Sequence, residues 1–108
     1  MRIIIAGAGE VGFHLAKLLA FERQDIVIID MDQDRLNYAA AHLDVSTVKG
    51  NSTSFRILEE ADVSQSDLFI AVTSYEEVNI ATCAIAKKLG ARKTIARIDN
   101  LEFLLNKE

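Results

Sequence analysis

The chain has 108 residues, half of them apolar and 26% charged, the balance of one globular domain rather than of a disordered segment. Sixteen acidic against twelve basic residues leave a formal charge of −4, which speaks against nucleic-acid binding, and the longest apolar run, Leu68 to Val72, is too short to cross a bilayer. A single cysteine, Cys83, and two scattered histidines exclude an internal disulfide framework and a zinc motif, and they fit a reducing, cytoplasmic setting.

Short apolar runs alternate with longer amphipathic ones. Arg2 to Ala6 reads as a strand that ends at Gly7 and opens into a helix from Glu10 to about Phe21, where Val11, Leu15, Leu18 and Leu19 recur at helical spacing. Ile26 to Asp30 is a second buried strand, followed by Asp32 as the N-cap of a helix carrying Leu36, Ala39, Ala40 and Leu43. Val45 to Lys49 is a third strand closed by Gly50, and Ser54 to Ala61 a short helix. Leu68 to Thr73 is the most hydrophobic strand. After it, Ser74 and Glu77 have the spacing of a capping box ahead of a helix from Glu76 to Leu89, which Gly90 ends. Lys93 to Ile98 gives a fifth strand, and Leu101 to Leu105 starts a last helix.

Apolar strands alternating with helices pair in parallel, with helices on both faces, and right-handed crossovers then favour a doubly wound α/β sheet in the order 3-2-1-4-5. The chain reads as one domain over residues 1–108, expected to be a piece of a longer protein.

Gly7-Ala8-Gly9-Glu10-Val11-Gly12 is a G-x-G-x-x-G that follows a strand and opens a helix, the context that gives this otherwise weak pattern its meaning. Gly7 permits the tight turn, Gly9 lets a diphosphate approach the backbone, and Gly12 lets helix and strand pack closely. The amides of Gly9, Glu10 and Val11 then face an anion at the positive end of the helix. Together with the strand order this is a Rossmann-type arrangement. Asp30 ends the second strand eighteen residues after Gly12, where a carboxylate accepts from ribose hydroxyls. With Asp32 nearby it disfavours a 2′-phosphate, so NAD(H) is expected over NADP(H).

Ligands of doubly wound sheets lie where the strand order reverses, here between the first and fourth strands. Thr73 and Ser74 end the fourth strand and should face the glycine turn across the ligand. Asn51, in the Gly50-Asn51-Ser52-Thr53 turn, offers a donor and an acceptor to an adenine edge, or is simply part of a polar turn. Arg97 interrupts an apolar strand and needs Asp99, a ligand phosphate or solvent as its partner.

These motifs, in this order and over essentially the whole chain, resemble the TrkA-type N-terminal nucleotide-binding domains of the RCK (regulator of potassium conductance, or KTN) group. The resemblance implies NAD(H), or ATP or ADP, in the cleft of a domain that assembles into a homo-oligomer, a dimer or a larger ring. It also implies control of a membrane potassium-translocating subunit from the cytoplasmic face, without catalysis, resident metal or nucleic acid. By position, Gly7, Ala8, Gly9, Glu10 and Val11 would hold the phosphates beside Gly12, Asp30 the ribose and Asn51 the adenosine side. Thr73 and Ser74 would line the opposite wall, and Arg97 would reach toward the phosphates. Asn51 departs from the family, which often has aspartate there.

The rival reading is the cofactor domain of an NAD-dependent oxidoreductase, for which 108 residues leave little chain to build a substrate pocket. The helix from Glu76 to Leu89 reads as apolar around most of its circumference. Val78, Ala81, Ile85 and Leu89 are expected to face the sheet, and Ile80, Cys83 and Ala84 continue the surface outward. That surface fits either a subunit interface or cover by the last helix of the same chain.

Overall fold

The computed structural model describes residues 1–20 and 24–99. Five strands, β1 (Arg2–Ala6), β2 (Asp25–Asp30), β3 (Ser46–Lys49), β4 (Leu68–Ala71) and β5 (Thr94–Ala96), form one parallel sheet in the order β3-β2-β1-β4-β5. The strand order is the one expected from the alternating pattern. Among the described residues four helices cover it: α1 (Glu10–Ala20), α2 (Gln33–His42), α3 (Phe55–Glu60) and α4 (Glu76–Leu89), with a 3-10 turn at Val63–Gln65 before β4. The helix expected at Leu101 to Leu105 lies outside the described residues.

Because side chains alternate along a strand, each central strand feeds two cores. Ile3 and Ile5 of β1 join Ile26 and Ile28 of β2 and Ile70 of β4 under Ala16 of α1 and Leu36 and Ala39 of α2. Ile4, Val27, Ile29 and Phe69 point the other way, against Ile57 and Leu58 of α3 and Cys83 and Ala86 of α4. Burying one such aliphatic side chain contributes about 1.5–3 kcal/mol, so a continuous apolar triplet such as Ile3-Ile4-Ile5 fixes a strand with cover on both faces. Val48 is the one buried residue of edge strand β3, and Ile95 of the opposite edge strand is exposed.

Strands β4 and β5 end earlier than their apolar runs suggest. Strand geometry ends at Ala71 in β4 and at Ala96 in β5, but the Val72 amide still donates to the Ala6 carbonyl and the Arg97 amide to the Ala71 carbonyl, each at 2.9 Å, which sets Thr73 and the Arg97 side chain on the C-terminal rim of the sheet. Asp32 caps α2 as expected, accepting from the amides of Asp34 and Arg35, and Ser54 caps α3 through the Ile57 amide. Two expectations fail at α4. Ser74 is exposed and caps nothing: Tyr75 holds the N-cap position without a side-chain bond, because the Thr73 hydroxyl accepts the Tyr75 amide at 3.2 Å and closes the turn first.

The buried stripe of α4 is Asn79, Thr82, Cys83 and Ala86, whereas Ala81 and Ala84 are exposed and Val78, Ile80, Ile85 and Leu89 are half-buried. Two polar residues take the core face because each finds partners there, which an apolar period cannot reveal. Cys83, expected on the outward-facing part of the helix, is buried instead as a small filler, its thiol donating to the Ile95 carbonyl at 3.4 Å. Burial pushes that thiol above its ordinary pKa, so it stays protonated at neutral pH.

Candidate functional site

The three glycines between β1 and α1 answer to different constraints. Gly7 sits at φ +118°, a conformation costly for a side chain, and a β-carbon there would lie 3.1 Å from the Val72 and Thr73 backbone. A β-carbon on Gly12 would lie 1.8 Å from the Gly7 carbonyl oxygen, so the helix packs directly on the turn that precedes it. At Gly9 the nearest atom to such a carbon would be the Arg35 guanidinium, 3.8 Å away. Nothing in the fold requires a glycine at position 9.

The backbone amides divide in the same way. Gly7 donates to the Ile29 carbonyl at 2.8 Å and Ala8 to the Asp30 carboxylate at 2.7 Å. From there α1 begins, with its first bond running from the Phe13 amide to the Gly9 carbonyl at 2.9 Å. The amides of Gly9, Glu10, Val11 and Gly12 donate to no acceptor among the described residues. A helix start with several open N–H groups carries a partial positive charge, a ready site for an anion. Ala8 corrects the sequence reading: it is buried, and its amide is spent on Asp30, so it braces the turn instead of facing a phosphate.

Asp30, half-buried at the end of β2, uses one oxygen for Ala8 and the other for the Asp32 amide at 2.8 Å. Each oxygen keeps a lone pair, and the carboxylate is thereby held against the glycine turn and open to the cleft. Asp30 thus both braces the turn and lines the cleft.

A cleft of about 1120 Å³ opens at this rim, somewhat above the roughly 300–1,000 Å³ usual for small-molecule sites. Gly7, Gly9, Glu10 and Val11 form one side, Asp30 and Asn51 the floor toward β3, and Thr73, Ser74 and Arg97 the far side. The expected site residues therefore converge on the cleft, apart from Gly12, which packs behind the turn, and Ala8, which lines the adjoining recess. Asn51 is more committed than its chemistry suggested. Its carbonyl oxygen accepts from the Thr53 amide at 2.9 Å and the Thr53 hydroxyl at 2.7 Å, leaving the amide nitrogen to face outward. Arg97 binds Asp99 with Nε and Nη2, both at 3.1 Å, while still lining the cleft.

Sequence reasoning missed residues on this rim. Met31, Arg35 and Tyr75 are exposed lining residues placed there by strand order and side-chain reach, with no local pattern to announce them. The buried Asn79 was missed as well. Its carbonyl accepts from the Thr73 amide at 2.9 Å and hydroxyl at 2.6 Å, and its nitrogen donates to the carbonyls of Thr73 and Arg97, each at 3.0 Å. All four hydrogen-bonding positions of the amide are filled, which locks the ends of β4 and β5 together. One helical turn on, the Thr82 hydroxyl meets that of Ser52 at 3.3 Å, tying α4 to the turn after β3.

Comparison with known proteins gives this geometry relatives. A protein from Archaeoglobus fulgidus called Trk system potassium uptake protein TrkA homolog is 44% identical over 104 residues, which are 96% of this chain and 23% of that protein. Trk system potassium uptake protein TrkA of Halomonas elongata is 42% identical over 108 residues, 99% of this chain and 24% of its own length. The chain thus spans about a quarter of the length of these relatives. Among solved structures, the Shewanella denitrificans Kef CTD in AMP bound form matches with a TM-score of 0.73 at 20% identity, over 88% of this chain and 57% of that one, a likeness of fold. The family model described as the TrkA-N domain matches residues 3–106, and the chain belongs to that family.

Proposed function

We propose that this domain is a nucleotide-sensing regulatory module that binds NAD(H) or an adenine nucleotide in the rim cleft. The observation that carries the reading is Gly9: the fold requires glycine at positions 7 and 12 but leaves the space above position 9 clear, beside four undirected amides. A diphosphate is the group whose size and charge use both features. In this reading the amides of Gly9, Glu10 and Val11 hold the phosphate oxygens. Asp30 accepts from the ribose hydroxyls with its spare lone pairs, and the free nitrogen of Asn51 donates to the adenine edge.

The module controls rather than catalyses. Its relatives are named for potassium uptake, and we read this chain as one domain of a longer cytoplasmic protein that assembles with copies of itself. The assembly would act on a membrane potassium-translocating subunit from its inner face. The solved Kef domain with AMP bound supports an adenine nucleotide as one ligand class for this fold.

Calorimetric titration of the chain with NADH, NAD⁺, ADP, ATP, NADPH and S-adenosylmethionine tests the proposal. Saturable binding of the adenosine diphosphate ligands, abolished by Gly9→Val in a protein of unchanged unfolding temperature, is the expected result. Tightest binding of S-adenosylmethionine, or full retention of ADP by Gly9→Val, overturns it.

A further inference from the structure

Arg35 has the wrong charge for its place. It lies in the first turn of α2, where the helix dipole is positive and a cation is unfavourable. The acidic cap beside it does not explain its presence, since the contact from Nε to the Asp32 carboxylate is 3.8 Å between two half-exposed side chains, an ion pair of little value. The guanidinium lies instead over the glycine turn, with Nη1 3.8 Å from where a β-carbon of Gly9 would stand. It therefore bounds the very space that Gly9 keeps clear, and it divides the main cleft from a recess walled by Phe13 and Tyr38. Arg97, the other arginine of the cleft, is already held at 3.1 Å by two contacts to Asp99. Three carboxylates, Glu10, Asp30 and Asp32, line the same cleft, so a polyanion entering it needs an uncommitted cation.

We propose that Arg35 closes over the ligand from the α2 side and donates to the non-bridging oxygens of the diphosphate that the Gly9, Glu10 and Val11 amides hold from below. This deepens the reading of the cleft given above and rests on it. The consequence is a site that counts phosphates, preferring a diphosphate to a monophosphate and a monophosphate to a nucleoside. A residue that breaks a local helix rule without structural return is where a functional demand is expected.

The test is a titration series of adenosine, AMP, ADP, NADH and NADPH against the wild-type chain, Arg35→Gln and Arg35→Lys. Arg35→Gln is expected to weaken ADP and NADH about tenfold, AMP less and adenosine not at all, with Arg35→Lys recovering part of the loss. Equal weakening of every ligand, adenosine included, or no weakening of any, overturns the proposal. A loss confined to NADPH reassigns the guanidinium to a 2′-phosphate and overturns the diphosphate contact. Failure of the wild-type chain to bind ADP or NADH is a different outcome: it removes the nucleotide cleft itself, and this proposal with it.

Discussion

The two walls of the cleft are built on opposite plans. On the β1–α1 side, four consecutive amides have no protein acceptor among the described residues and a glycine keeps open space above it. On the β4–α4 side, the Asn79 amide fills all four of its hydrogen-bonding positions, and Thr73 is held through its amide, hydroxyl and carbonyl. Unsatisfied polar groups near a surface are affordable only where something else satisfies them, water or a ligand. The first wall is thus arranged to receive and the second to stay still, and binding affinity and fold stability should be separable by mutation between them.

The sharpest test pairs two glycines three residues apart. Gly12→Ala forces a β-carbon into the Gly7 carbonyl and should destabilise the fold by about 3 kcal/mol or more in chemical denaturation, with binding lost as a by-product. Gly9→Ala meets nothing nearer than 3.8 Å and should leave the fold equally stable or raise it by about 0.4–1 kcal/mol, while lowering nucleotide affinity. Equal destabilisation by both would erase the distinction between the walls.

Next in size, Asn79→Leu strands the Thr73 amide and two carbonyls in a buried site and should cost about 1–3 kcal/mol by thermal unfolding. Asn79→Asp replaces two donors by acceptors opposite those carbonyls. Its carboxyl pKa should rise on folding, so the variant is more stable in acid and loses that stability as pH climbs from the ordinary carboxyl range up to the raised folded-state pKa. The smallest effect belongs to Ser74→Ala, expected within about 0.5 kcal/mol of wild type. A working N-cap would lose about 0.5–2 kcal/mol on the same change.

Much of this molecule could be read from its sequence. The strand order and the glycine turn are legible because both follow from local rules: apolar runs that demand cover on two faces, and glycines at fixed offsets after a strand. Asp30 is legible for the same reason, as its place is set by the end of β2. Legibility fails where one residue's role depends on another far along the chain. Ser74 and Glu77 satisfy a capping pattern, yet the Thr73 hydroxyl closes the turn first. Asn79 and Thr82 look like the outer face of an amphipathic helix, yet their partners Arg97 and Ser52, distant in sequence, draw them inward. Arg35 and Met31 are ordinary surface residues by pattern, and only the sheet's geometry sets them on the rim.

Helix α4 has a mechanical consequence of its own. Through Ser52, Thr73 and Arg97 its first turns are pinned to the chain following β3, β4 and β5, three points spread across the width of the sheet. A tilt of this single rod is shared by every one of those anchors, so the mouth of the groove distorts as a whole and not strand by strand. Whatever presses on the outer surface of α4 therefore holds a handle on the entire opening.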